Sequence, residues 1–276
     1  MIDFHVHPKH SIDSHAEAED MVLSAISAGL KAICFTTHID LNPLRCGVDL
    51  FMRIDGRLKV LSDSTVQSYI AEIKGLKNRY ASQIQVWQGF ELSYLPHYDS
   101  IARSFVAKYP ADFVLGAVHC LDSLAVTSGG EATSYFRVTD VVTAAESYCE
   151  ALKALARSRI FTTIAHVDGM KKYARGTYGD RIDREMEARL PSVFEVFARE
   201  GAGIEINTSA MRKGHPDFYP SRKVLEMARD AGVRVNSIGS DAHRACDVGF
   251  KLNEAIALIR EVGIGIGEPL KSFFIE

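Results

Sequence analysis

No run in this 276-residue sequence approaches the roughly 20 apolar residues that cross a bilayer, so nothing in it reads as a membrane span. The opening segment, MIDFHVHPKH, has neither a basic leader nor a long apolar stretch, and no signal peptide is expected. Cysteine is sparse: Cys34, Cys46, Cys120, Cys149 and Cys246 are odd in number and widely separated, with no C-x-x-C pair. That pattern excludes a disulfide framework and fits reduced thiols in a cytoplasmic protein. No sign of charge dominates. With 32 Lys and Arg against 35 Asp and Glu, the formal charge is −3, and no basic block offers a surface to nucleic acid or to an anionic membrane. A Pro-, Ser- or Gly-rich linker is also missing, as are repeats, so the chain reads as one domain over 1–276. No sequence signal points to a particular oligomeric state.

What is present is a globular composition, 47% hydrophobic and 24% charged, long enough to bury a large core. Short apolar runs at 2–6, 32–36, 85–89, 113–118, 161–165, 203–207 and 234–239 predict strands. Helical periodicity predicts helices at 16–28, 66–80, 98–108, 141–156, 184–200, 222–230 and 247–261. Gly29, Gly201, Gly232 and Gly263 stand where those helices should stop. Seven β–α units predict an α/β fold with a parallel sheet. An open, doubly wound sheet is possible, but seven similar units favour closure into a barrel. The long connections 41–63 and 121–138 read as loops that cover or line a site.

The ten histidines are the compositional oddity. His5 and His7 end the first strand, His38 the second, Glu91 the third, His119 the fourth and His166 the fifth, while Asp241 and His243 follow the seventh. Barrel closure brings strand ends to one rim, where catalytic groups of such barrels gather. A single strand-end histidine is more often a hydrogen-bonded core residue than a ligand. His-x-His, however, places two imidazoles on one face, and further ligand types on successive strand ends point to metal. Imidazole with carboxylate suits zinc, iron or manganese. The set exceeds what one tetrahedral ion takes, and a carboxylate can bridge, so two or three divalent ions are expected. Neighbouring cations acidify a shared water and hold phosphoryl oxygens, which makes phosphate-ester hydrolysis the expected reaction. His10, His97 and His215 read as surface residues, and Cys120, beside His119, should face away from the site.

In order, Asp3-x-His5-x-His7, Phe35-Thr-Thr-His38, Gly89-x-Glu91, Gly116-Ala-Val-His119, Ala165-His166-x-Asp168 and Gly239-Ser-Asp-Ala-His243 resemble the successive motifs of the PHP (polymerase and histidinol phosphatase) family. Within it, Ser11-Ile-Asp13-Ser14, the segment from His166 to Tyr173, Asn207-Thr-Ser-Ala-Met-Arg212, Tyr219-Pro220 and the segment from Ser240 to Phe250 are similar to stand-alone histidinol-phosphate phosphatases. The resemblance implies a distorted (β/α)7 barrel, TIM-like, with a trinuclear site. One ion would take His5, His7, Glu91 and Asp241. A second would share Glu91 and add His119 and His166, and a third would take Asp13, His38 and His243. Asp13 is favoured over His15 for the loop position.

The implied activity is hydrolysis of L-histidinol phosphate in histidine biosynthesis. Its catalytic groups would be His5, His7, Glu91, His119, His166, Asp241 and His243. Arg212 and Lys172, and more weakly Arg244, would hold the phosphate of a small phosphorylated substrate. Another small phosphate, such as a nucleotide, is the alternative substrate. A non-catalytic module is the reading that a complete ligand set argues against. Two departures stand out: Thr37 stands where the family commonly has Asp, which should affect ligand orientation or metal affinity, and the loop 120–125 does not match the Trp- or Asp-bearing loop of some histidinol phosphatases.

Overall fold

In the computed structural model, which describes residues 1–121 and 123–273, seven parallel strands pair in chain order. They are β1 (Ile2–Val6), β2 (Ala32–Asp40), β3 (Gln85–Ser93), β4 (Phe113–Ala117), β5 (Thr163–Ile164), β6 (Ile204–Asn207) and β7 (Val235–Gly239). Helices connect them, and local chemistry sets the helix ends. Asp140 accepts the backbone N–H groups of Val142 and Thr143 to start Val141–Ser158. Gly201 ends Arg181–Glu200, and Gly263 ends Leu252–Val262, both in the left-handed conformation that glycine enters at no steric cost. No helix among the described residues is long and apolar enough to cross a membrane.

The sheet curls until β7 meets β1. Their seam lies just past the strand ends, where the His7 N–H donates to the Ala242 carbonyl at 2.8 Å and the Ala242 N–H to the His5 carbonyl at 3.4 Å. Asp3 ties the same seam. Its buried carboxylate accepts from Ser240 N at 2.9 Å, Ser240 Oγ at 2.5 Å and Gly249 N at 2.8 Å. The result is a single α/β domain with a nearly closed, distorted (β/α)7 barrel.

A bulge in β1 prepares the site. Pairing with β2 shifts between Asp3 and Val6, with one extra residue on β1. In a regular strand Phe4 and His5 would face opposite sides. Here Phe4 packs on Trp87 and Phe113, with ring centroids 5.8 and 5.0 Å away, while His5 reaches Glu91 and Glu205. Re-aiming one side chain beside a site is a common use of a bulge.

The two expected loops hold structure of their own. Segment 41–63 contains a 3-10 turn, Pro43–Arg45, and a hairpin of Phe51–Ile54 with Arg57–Val60. Segment 121–138 contributes the outer strand of a short hairpin, Cys120–Leu121 with Leu124–Ala125, and the helix Gly129–Val138. A start at Gly-Gly hid that helix from propensity. Helices Lys171–Tyr178 and Ser209–Arg212 also lie in segments read as connections. His10 is a further correction. It is buried, with Nε2 3.3 Å from a Glu72 carboxylate oxygen and its ring on Tyr69, rather than at the surface.

Candidate metal centre

Glu91, at the C-terminal end of β3, is the hub, and it is 1% exposed. Its Oε2 lies 3.3 Å from His5 Nε2, 3.5 Å from His7 Nε2 and 2.8 Å from His38 Nδ1. Its other oxygen, Oε1, lies 3.3 Å from His119 Nε2 and 3.0 Å from His166 Nε2. Asp241 Oδ1 adds a second carboxylate, 3.3 Å from His7 Nε2 and 4.0 Å from His5 Nε2. Asp13 Oδ2 closes the outer side, 3.1 Å from His243 Nε2 and 3.6 Å from His38 Nε2. The structure therefore gathers every residue proposed as a ligand. Asp13, rather than His15, meets His38 and His243; His15 lines the cavity nearby.

Three atoms at the middle of this cluster, His5 Nε2, His7 Nε2 and Glu91 Oε2, are buried without a hydrogen-bond partner. Buried polar atoms are ordinarily satisfied, and two imidazole nitrogens with a carboxylate oxygen are the donor set of a divalent transition ion. The far sides of the rings fit the same reading. His5 Nδ1 meets Glu205 Oε1 at 2.6 Å, His7 Nδ1 meets Ser11 Oγ at 3.2 Å, His119 Nδ1 meets Ser93 Oγ at 2.9 Å and His243 Nδ1 meets the Asp241 carbonyl at 3.1 Å. Each of these oxygens can accept a hydrogen bond from a protonated Nδ1, leaving a bare Nε2 lone pair toward the centre. Thr37 touches this layer: its Oγ1 is 3.0 Å from the Ser11 Oγ that braces His7.

The electrostatics follow from packing acids among imidazoles. Burial raises Glu91, but His5, His38 and His119 outweigh it and hold the carboxyl well below its usual range. Asp241 is held well below its range too, against burial, by His7, His5 and His243. Burial lowers His38, yet Asp13 and Glu91 push it up to about 9. His7 goes well below its usual value through burial and the neighbouring His38 and His243. The acids stay ionised across neutral pH. Two of the proposed ligand residues also have left-handed backbone, His166 at φ 25° and Asp241 at φ 54°, the kind of strain that functional sites retain.

The cluster forms the floor of a cavity of about 950 Å³. Both long connections reach it, through Arg45 and Asp49 and through Thr127 and Glu131. Lys172, Arg212 and Arg244 all line it, but they differ in freedom. Arg212 donates from Nη1 and Nη2 to the Ser240 and Asp241 carbonyls, each at 2.9 Å. Arg244 forms a two-pronged pair with Asp247, at 2.8 and 3.0 Å. Lys172 makes a long contact, 3.4 Å, to the Thr127 carbonyl. Lys213, which sequence reasoning passed over, also lines the cavity, and desolvation with the Lys172 and Arg212 charges lowers its ammonium pKa. Cys120 is a correction. It lines the cavity because β4 ends at Ala117 and strand alternation no longer applies.

Glu205 is a further omission. Glu205 is fully buried on β6 and, besides His5, accepts the His166 N–H at 3.2 Å. A lone acid between Ile204 and Ile206 in an otherwise apolar run was the available signal.

Residues 3–209 match the model of the PHP domain family. A probable histidinol-phosphatase of Deinococcus radiodurans is 27% identical over 263 residues, 95% of this chain and 94% of that protein. The histidinol-phosphatase of Lactococcus lactis subsp. lactis is 25% identical over 264 residues, 95% of this chain and 91% of its own length. A crystal structure of histidinol phosphate phosphatase from Lactococcus lactis, complexed with zinc, L-histidinol and phosphate, superposes with a TM-score of 0.79 at 23% identity, covering 96% of this chain and 94% of that one.

Proposed function

This chain belongs to the PHP domain family, and we propose that it is a metal-dependent phosphomonoesterase that hydrolyses L-histidinol phosphate to L-histidinol and phosphate, a step of histidine biosynthesis. The observation that carries the reading is Glu91, whose two oxygens face two separate groups of imidazole nitrogens, some of them buried and unpartnered. His5, His7, Glu91 and Asp241 would hold one ion, Glu91, His119 and His166 a second, and Asp13, His38 and His243 a third. Zinc, iron or manganese bound there supplies Lewis acidity toward phosphate oxygens and lowers the pKa of water.

The chain's own groups do the rest. Glu205, Ser11, Ser93 and the Asp241 carbonyl fix ring orientation through Nδ1. Asp241 is ionised, and Ser209 Oγ holds its Oδ2 at 3.0 Å, which keeps Oδ1 turned toward the ion it would hold. The water oxygen joins phosphorus as it loses a proton, the ester P–O bond breaks with its electron pair on the alkoxide, and that alkoxide takes up the proton the water gave. Lys172, with Lys213 beside it, meets the phosphate charge. Arg212 spends one N–H on each carbonyl of the Ser240–Asp241 turn and offers the phosphate what remains of its planar donor set. Arg244, committed to Asp247 and 69% exposed, contributes least.

Chelation tests the proposal. Metal-stripped protein should release no phosphate from L-histidinol phosphate. Zn²⁺, Mn²⁺ or Fe²⁺ should restore release and Mg²⁺ should restore little, because Mg²⁺ prefers oxygen and water to imidazole. Full recovery with Mg²⁺ alone would contradict the ligand assignment.

A further inference from the structure

Asp13 is the outlier among the proposed ligand residues. It lies out on the loop between β1 and the helix Ala18–Ser27, with its side chain 52% exposed, so whatever holds that loop decides where the carboxylate sits. The loop's own turns do part of this. The Ser11 N–H donates to the Pro8 carbonyl at 2.9 Å and the Ser14 N–H to the Ser11 carbonyl at 3.3 Å. The rest comes from one residue of a different segment, Arg53, on the hairpin of Phe51–Ile54 with Arg57–Val60. Alternation buries Met52 and Ile54 in the core and turns Arg53 the other way. Its backbone N–H donates to the His10 carbonyl at 3.1 Å. Its guanidinium donates from Nη2 to the Ile12 carbonyl at 2.9 Å and from Nε to the Ser14 carbonyl at 3.3 Å. Those two carbonyls belong to the neighbours of Asp13 on either side.

Arg53 enters none of the ion pairs among the described residues, so its charge is not spent on a carboxylate. A planar fork of N–H donors can span two carbonyls, which one ammonium cannot. Charge alone would argue against a cation here, because it repels the divalent ions expected nearby. The gain that offsets this repulsion is geometric. Holding Ile12 and Ser14 fixes the peptide groups that flank Asp13, and its Oδ2 then stays 3.1 Å from His243 Nε2 and 3.6 Å from His38 Nε2.

We propose that Arg53 is a positioning residue for the outermost ion. By clasping the loop on both sides of Asp13, it sets the affinity for the ion assigned to Asp13, His38 and His243, and it leaves the two ions that share Glu91 to the barrel. This rests on the three-ion site of the phosphatase reading above. The test counts zinc ions per chain and measures their affinities by competition with a chromophoric chelator, with circular dichroism alongside. It compares the unsubstituted protein with Arg53→Met, Arg53→Lys, Asp13→Ala and the double variant Arg53→Met, Asp13→Ala. Methionine keeps an apolar stem and removes every side-chain donor. The unsubstituted protein should bind three ions. In Arg53→Met one of the three should weaken about 10–100-fold, the usual cost of losing a group that holds a ligand in place, while the other two keep their affinities. Lysine, which meets one carbonyl at most, should restore only part of the loss. Once Asp13→Ala has removed the ligand, adding Arg53→Met should change metal binding no further, whereas a merely structural role would add its own cost. Unchanged or tighter binding of all three ions in Arg53→Met, a loss spread over all three, or an additive effect in the double variant would overturn the role of Arg53 and leave the metal site standing. Fewer than three ions in the unsubstituted protein would overturn the three-ion site and this inference with it. If Arg53→Met does not fold, Arg53→Lys decides: full affinity for all three ions with lysine would overturn the clasp.

Discussion

Glu205→Gln should weaken metal binding without touching a proposed ligand atom. Glu205 Oε1 accepts from His5 Nδ1 at 2.6 Å, while Oε2 accepts the His166 N–H at 3.2 Å and faces the Asn207 amide nitrogen at 3.4 Å. Donors thus approach both oxygens. Glutamine has one accepting end and one donating end. With its oxygen on His5, its amide N–H groups collide with the donors of His166 and Asn207. Turned over, it donates to His5 Nδ1 and selects the tautomer protonated at Nε2, the atom aimed at the centre. A charge-assisted hydrogen bond is worth about 1.5–3 kcal/mol, roughly tenfold to a hundredfold in an equilibrium constant. Loss of the outer partner of a ligating histidine costs a similar factor, about 10–100 in metal affinity. The assay is zinc affinity by competition with a chromophoric chelator, with circular dichroism to establish folding. The zinc Kd should rise about 10–100-fold. A folded Glu205→Gln protein with unchanged zinc affinity would refute the reasoning.

Other perturbations separate the parts of the site. Glu91→Gln and His166→Ala should each abolish phosphate release, and Glu91→Gln should also lower the metal-to-protein ratio; near-normal kcat with a full metal complement would count against the bridging role. Lys172→Ala should lower kcat/KM and raise the inhibition constant of inorganic phosphate about ten- to a hundredfold at constant metal content, and an unchanged phosphate constant would remove Lys172 from the site. Gly239→Ala places a methyl group 2.2 Å from His5 Cβ and 2.7 Å from Glu205 Oε1. Overpacking of this kind costs ~1–3 kcal/mol, so Tm and zinc affinity should fall together. An unaltered Tm would show that the seam of the barrel yields more readily than the close approach suggests.

The barrel was readable because each strand is a short apolar run between helices of clear period, and the convergence of histidines and carboxylates because they sit at the ends of those runs. The ends of β2 and β3 were harder. Their apolar runs stop at Thr36 and Gly89, yet pairing continues to Asp40 and Ser93, since backbone hydrogen bonds carry the strand on while its side chains turn polar for function. The re-aiming of His5 was likewise hidden, because a bulge depends on pairing with another strand and leaves no mark in local composition. His10 and Cys120 show the same limit: whether a polar or reactive side chain faces solvent, core or cavity is set by long-range packing. The family resemblance implies a phosphate-holding role for Arg212, but its ties to the Ser240–Asp241 turn required the fold.

The most direct test of the account is the rate of phosphate release by zinc-, iron- or manganese-loaded protein from L-histidinol phosphate, nucleoside monophosphates and sugar phosphates, compared as kcat/KM. The account predicts the highest value for L-histidinol phosphate. Preference for a nucleoside monophosphate, or no release from any of the esters by metal-loaded and folded protein, would contradict it.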